Sequence, residues 1–177
     1  VMPSIEDTPG IKILIVDDDP SVGQLIADFI SGEGYPRVLC NDPEQALELM
    51  EEATFDLAFL DINMPHMSGL ELASRIKERL PLCEVVFITG FGSFDNAIQA
   101  IKLGAYDYLR KPFGINELKL CLKRFQERQE LKEKIRLAEQ KYFRLVQDIP
   151  SMVFSIRKDF SLEFINRAVE TMLGFSP

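Results

Sequence analysis

Histidine is almost missing from this chain. The single one, His66, falls in the short run Met64-Pro65-His66-Met67-Ser68-Gly69 and reads as an exposed loop residue, so the long helical stretches carry none. Cysteine is scarce and odd in number. Cys40, Cys83 and Cys121 are widely spaced in apolar or amphipathic surroundings, which excludes a disulfide frame and suits reduced core thiols. No apolar run approaches the ~20 residues of a membrane-spanning helix. The first ten residues, with Glu6, Asp7 and two prolines, have neither the basic start nor the apolar stretch of an export signal. Positive charge is the minority: 20 Lys and Arg stand against 28 Asp and Glu, for a net charge of −8. That balance argues against a broad nucleic-acid surface and favours a cation or a basic partner. A reducing cytosol fits these absences together.

What is present is a strict alternation. At 177 residues and 46% apolar, the chain has room for one full domain and something extra. The spacing predicts strands near 12–16, 37–40, 56–60, 84–88 and 106–109, with helices near 21–31, 43–52, 69–79 and 94–103 between them. Strands that are apolar throughout and separated by helices make an α/β, doubly wound sheet of five parallel strands. Punctuation agrees: Asp42 and Ser68 stand at N-cap positions, Pro20 and Pro43 where helices begin, and Gly34 and Gly104 after helix ends.

A fifth helix starts near Ile115 and meets no Gly or Pro until Pro150, far too long for its own domain. Leu118, Leu122 and Phe125 face the sheet. Beyond them Leu131, Ile135, Ala138, Tyr142, Leu145 and Ile149 recur at alternating spacings of four and three, a heptad seam set among dense mixed charges. A solvated single helix held by ion pairs is one reading. A parallel two-helix coiled coil joining two protomers over 126–149 is favoured, because an exposed seam leaves apolar area unburied. After Pro150, Met152–Arg157 and Leu162–Ile165 read as two short strands turning at Lys158 and Asp159, with a helix over 168–173. About thirty such residues cannot bury a sufficient core alone.

Five polar residues sit where apolar runs end: Asp17 and Asp18, Asp61, Thr89 and Lys111. Ligands of a parallel sheet collect at the strands' carboxyl ends, so the five are expected to share one cleft. Three carboxylates held together repel by ~4 kcal/mol per pair at an effective dielectric near 20. A divalent cation relieves this, and oxygen-only ligands from Asp18 and Asp61, with Asp17 acting through water, suit Mg²⁺. Asp61 then offers a carboxylate that attacks phosphorus, Lys111 an ammonium and Thr89 a hydroxyl for the phosphoryl oxygens. Asp19 is read as a helix cap rather than a metal ligand.

The motifs VDDDP, FLDINMPHMSG, ITG and LRKPF, in this order over residues 11–125, resemble those of response-regulator receiver domains. The resemblance implies a flavodoxin-like sheet of order 2-1-3-4-5, with Asp61 as phosphoacceptor, Asp17 and Asp18 as the acid pair and the Asn63 backbone carbonyl as a further Mg²⁺ ligand. It also implies Thr89 as switch hydroxyl, Tyr108 as switch aromatic, Lys111 as phosphoryl-binding lysine, and a cis Lys111-Pro112 bond. Asn63 and Phe91 are expected to flank the entrance and tune access of water. The phosphoryl donor would be a separate histidine kinase or histidine phosphotransfer protein, or a part of the full-length protein outside this sequence. Residues 142–177 resemble the opening of a PAS sensor domain. The division expected is therefore a tail over 1–10, a receiver over 11–125, a dimerising signalling helix over 126–149 and a partial PAS segment over 150–177. An unseen output, a histidine kinase or diguanylate cyclase, would follow. No nucleic acid, membrane or organic cofactor is expected for this stretch.

Three other readings compete. A haloacid-dehalogenase-type phosphatase would use Asp17 and Asp19 but leaves Asp61 idle and finds only Asn116 and Glu117 where a further acid pair is wanted. A flavodoxin-like cofactor binder would need a Ser/Thr/Gly-rich loop where three aspartates repel phosphate. A receiver serving only as a dimerisation scaffold predicts that Asp61→Asn leaves signalling intact. On the favoured reading the chain is not an enzyme beyond its own phosphotransfer and dephosphorylation.

Overall fold

The computed structural model describes residues 10–90 and 94–174, the side chains of residues 94–97 excepted. The described chain falls into two compact units, one ending at Cys121 and the other starting at Leu122.

In the first unit, β1 (Ile13–Val16), β2 (Arg37–Cys40), β3 (Leu57–Asp61), β4 (Glu84–Thr89) and β5 (Asp107–Arg110) form one parallel sheet in the order β2-β1-β3-β4-β5. The central strands are buried along their whole length, which is why they read as unbroken apolar runs and not as alternating ones. Burying a single leucine such as Leu60 contributes about 1.5–3 kcal/mol, and β1, β3 and β4 line up many such residues. The helices between the strands are α1 (Pro20–Gly32), α2 (Pro43–Glu52), α3 (Gly69–Arg79) and α4 (Phe94–Lys102).

Caps explain where the helices begin. Asp19, Asp42 and Ser68 each accept a hydrogen bond from a first-turn backbone N–H, of Ser21, Glu44 and Glu71 respectively. Pro20 and Pro43 follow the first two caps, at positions whose N–H has no helical partner to lose. Gly34 and Gly104 reverse the chain after α1 and α4 at φ of 86° and 70°, the left-handed region open to glycine.

Two strands run one residue further than their apolar runs. Asp61 lies inside β3, paired with Ile88, and Thr89 lies inside β4, paired with Arg110. The ladder bonds backbone to backbone, so it continues past the point where the side chains turn polar. Likewise β6 (Phe154–Ile156) is shorter than the expected 152–157.

The helix α5 (Ile115–Gln147) has 33 residues, about 50 Å at the usual rise. Its first turns bury Leu118, Cys121, Leu122 and Phe125, while Leu131, Ile135, Tyr142 and Leu145 are all at least half exposed. In the second unit β6 pairs antiparallel with β7 (Leu162–Ile165), and α6 (Ala168–Leu173) follows. The hairpin turns through Lys158 and Asp159, with Phe160 at φ 67° and the Asp159 carboxylate accepting from the Ser161 N–H and hydroxyl. No helix among the described residues is long and apolar enough to cross a membrane.

Candidate functional site

The strand order decides where the site lies. The chain leaves β1 to place β2 on one side and returns to place β3 on the other, so the carboxyl ends of β1 and β3 open a crevice. Asp17 and Asp18 follow β1 directly and Asp61 ends β3. One carboxylate oxygen from each of the three lies within 4.8 Å of the others. Asp17 is fully buried, Asp61 nearly so, and Asp18 exposed at the rim.

Lys111, just after β5, reaches into this group. Its Nζ donates to Asp17 Oδ1 at 3.2 Å, and stands 2.9 Å from Asp17 Oδ2 and 3.4 Å from Asp61 Oδ1. Those last two contacts have ion-pair distance but not hydrogen-bond direction, so Asp17 Oδ2 and Asp61 Oδ1 are buried without a hydrogen-bond partner. Three carboxylates and one ammonium leave a net charge of two negatives at the crevice, with Asp17 and Asp61 buried and Asp18 at the exposed rim.

The acidities follow from that crowding. Burial pushes the Asp61 carboxyl up to about 6; the Lys111 charge opposes the rise, and the Asp17 and Asp18 charges add to it. Burial likewise raises Asp17, outweighing the hydrogen bonds it accepts from Lys111 and the Asp19 N–H. For Lys111 burial works downward, but the hydrogen bond and charge of Asp17 and the charge of Asp61 outweigh it, and the ammonium is held more firmly than usual.

The remaining predicted residues take different places. Thr89 is fully buried at the end of β4, next to the strand that carries Asp61, and its backbone carbonyl accepts from the Lys111 N–H at 2.7 Å. Tyr108 is partly buried and packs against the core. Asn63 is exposed in the loop after β3, and His66 is exposed at φ 66°. Asp19 caps α1 and turns its side chain to Ser21. The Lys111-Pro112 bond is cis. Phe91 lies outside the described residues. Cys40 and Cys83 are buried thiols pushed up to about 12 by burial, which leaves them little thiolate.

Gly69, which the sequence places at the start of a helix and at the end of the FLDINMPHMSG motif, is also a site residue. Its N–H donates to the Ile62 carbonyl at 3.0 Å, and a Cβ there would overlap the Asp61 carbonyl oxygen. Only glycine lets the start of α3 press directly against the backbone that carries Asp61. The signal was available as a glycine a fixed distance after the aspartate, but it does not reveal which backbone atom is approached.

Comparison with known proteins agrees with the geometry. Residues 13–123 match the family model described as the response regulator receiver domain. Over 125 residues the chain is 41% identical to the putative response regulator NtrX-like of Rickettsia bellii, covering 69% of this chain and 26% of that protein. The chain thus spans only about a quarter of the curated relatives it matches. Among solved structures, the CheY-like receiver domain protein from Methanospirillum hungatei superposes with TM-score 0.63 at 30% identity, covering 70% of this chain and 97% of that one. The receiver domain of NtrX from Brucella abortus gives 0.61 at 37%, covering 65% and 98%. Matched by that model from β1 into α5, and by whole solved domains in both sequence and fold, this chain belongs to the response-regulator receiver domain family.

Proposed function

We propose that this receiver takes a phosphoryl group from a phosphohistidine onto Asp61 and passes the resulting change along α5. The observation that carries the reading is the pair of buried, unbonded oxygens on Asp17 and Asp61 beside a single lysine. Such oxygens are costly to leave unmatched, and the two residual negative charges call for a divalent cation. The donor set is all oxygen, which fits Mg²⁺. Asp18 and Asp61, with Asp17 through water and the Asn63 carbonyl, would hold it. When bound, it supplies charge neutralisation for incoming phosphoryl oxygens.

In the transfer itself, an Asp61 Oδ attacks phosphorus, an O–P bond forms as the donor's N–P bond breaks, and the bonding pair returns to the imidazole nitrogen, which takes a proton from solvent. Lys111 then pairs with a phosphoryl oxygen, and the Thr89 hydroxyl donates to another. Tyr108, next but one to Arg110 on β5, follows Thr89 by turning further into the core. The donor is a phosphohistidine of a histidine kinase or histidine phosphotransfer protein, or of another part of the full-length protein; His66 is exposed in the loop after β3. This chemistry belongs to the cytosol, where such donors and reduced thiols coexist.

On this reading residues 11–125 are the receiver. Residues 126–149 pair with a second copy through Leu131, Ile135, Ala138, Tyr142, Leu145 and Ile149, and residues 150–177 open a PAS sensor domain. The half-exposed seam supports the pairing, and the antiparallel β6–β7 hairpin followed by α6 supports the PAS assignment. The function is signalling rather than enzymatic turnover.

Light scattering of wild type and Asp61→Asn, with Mg²⁺ and with or without beryllofluoride, a phosphoryl mimic whose binding is confirmed separately by fluorine NMR, tests this. We expect beryllofluoride to bind wild type alone. Dimers in both states mean that the helix signals by rotation or bending, and a wild-type-only change in mass means that it signals by association. A persistent monomer refutes the paired helix, and failure of beryllofluoride to bind refutes the phosphoacceptor role.

A further inference from the structure

We propose that the Asn166 side chain is the latch that makes the end of α5 and the β6–β7 hairpin open and close as one unit. This inference concerns the second unit alone and does not depend on phosphorylation.

Asn166 stands just after β7 and is fully buried in a unit whose hairpin is otherwise well exposed. A buried carboxamide must satisfy two N–H donors and a carbonyl, and this one is used in full. The two hydrogens on its Nδ2 are shared among three carbonyls, of Val146 at 3.1 Å, Ile149 at 3.2 Å and Ser151 at 3.0 Å. Its Oδ1 accepts from the Val153 N–H at 2.9 Å, and its backbone N–H donates to the Val153 carbonyl at 2.9 Å. The last carbonyls of a helix lack helical partners, and here one side chain gathers the final turn of α5, the connecting segment and the start of the hairpin.

Neighbouring contacts keep the same two elements together but are weaker candidates for the link. Phe143 meets Phe164 edge to face with ring centroids 6.0 Å apart, a contact that tolerates sliding. Arg167 faces Asp148 at 3.6 Å, with both side chains largely exposed. The Arg167 N–H also donates to Gln147 Oε1 at 2.7 Å, a bond to a mobile side chain. Among these contacts of the described residues the Asn166 amide is the one both buried and directional, so a rotation or fraying of the helix end must break its bonds or carry the hairpin along.

Amide hydrogen exchange on the full 177-residue chain tests the coupling. Gln140→Gly, at an exposed helix position outside the heptad seam, raises opening of the last turns of α5 about threefold. With Asn166 present, the amides of Val153 and Phe164 are expected to speed up by a similar factor, while those of β3 and β4 do not change. In Asn166→Asp, which keeps the acceptor for Val153 but loses the donor to the three carbonyls, adding Gln140→Gly should leave the hairpin rates unmoved. Hairpin amides that ignore Gln140→Gly in the otherwise unchanged chain overturn the proposal. This arm decides the matter even if Asn166→Asp leaves the hairpin fully unprotected. The proposal also fails if Phe143→Leu abolishes the response while Asn166→Asp preserves it.

Discussion

Two ion pairs in this molecule, Lys111 with Asp17 and Arg136 with Glu133, invert the usual link between distance and consequence. The Arg136 guanidinium grips Glu133 with two bonds of 2.6 and 2.7 Å on the exposed stretch of α5, whereas Lys111 reaches Asp17 at 2.9 and 3.2 Å. The shorter pair is bathed in water and screened by salt; the longer one is walled in by β1, β3 and the segment after β5. Environment, more than geometry, turns a pair of charges into a site. The same contrast separates the sheet, where apolar side chains are used up, from the second half of α5, where they are on offer.

The largest effect should come from truncating equivalent leucines in the two regions. Leu60→Ala, in fully buried β3, is expected to lower unfolding free energy by about 2–5 kcal/mol. Leu137→Ala, half exposed and off the seam, should cost under about 0.5 kcal/mol, both read by urea unfolding. Next come two glycines. Gly69→Ala, which drives a methyl into the Asp61 carbonyl, should cost about 1–3 kcal/mol and displace the Asp61 carboxylate, seen on the proposed function as a fall in phosphorylation rate. Gly32→Ala, where an added Cβ meets nothing, should gain about 0.4–1 kcal/mol.

The carboxylates respond to pH with opposite signs. Asp61 has a folded value near 6, above its ordinary 3.8, so the metal-free folded state binds this proton more tightly than the unfolded one. Its contribution therefore makes the protein more stable as pH falls from 7 through 6 toward 4. Asp61→Asn should confer at pH 7 in EDTA up to about 3 kcal/mol, reduced by the contact Lys111 loses. The bond from Arg136 instead lowers the Glu133 carboxyl. Its contribution is present above the ordinary 4.5 and is lost as pH falls through the lower folded value, so helix ellipticity should fray with acid. Smallest of all, Glu133→Gln at neutral pH should leave the unfolding midpoint unchanged within error.

Much of this was legible because the physics acting on the sheet is local and periodic. Ile13–Val16 and Leu57–Leu60 are apolar for burial on both faces, and Asp42, Ser68 and Pro43 mark helix starts by their own hydrogen-bonding chemistry. The acids and Lys111 were legible as a group because a parallel sheet gathers its strand ends. What escaped depends on atoms distant in sequence or on backbone without a side-chain signature. Asp61 and Thr89 were set outside their strands, since ladder pairing is blind to side-chain polarity. Gly69 was legible as a helix start but not as the neighbour of a carbonyl. Asn166 looked like any polar residue after a strand, because its partners lie 13 to 20 positions back.

The central claim is that Asp61, held between burial and Lys111, is where the phosphoryl group goes. Intact-mass spectrometry after incubation with a small acyl-phosphate donor and Mg²⁺ tests it directly, with wild type and Asp61→Asn side by side. The account predicts one phosphoryl mass on wild type, labile to hydroxylamine as an acyl phosphate is, and none on the variant. Equal labelling of both proteins, or none on a wild type shown to be folded and to bind Mg²⁺, would contradict it.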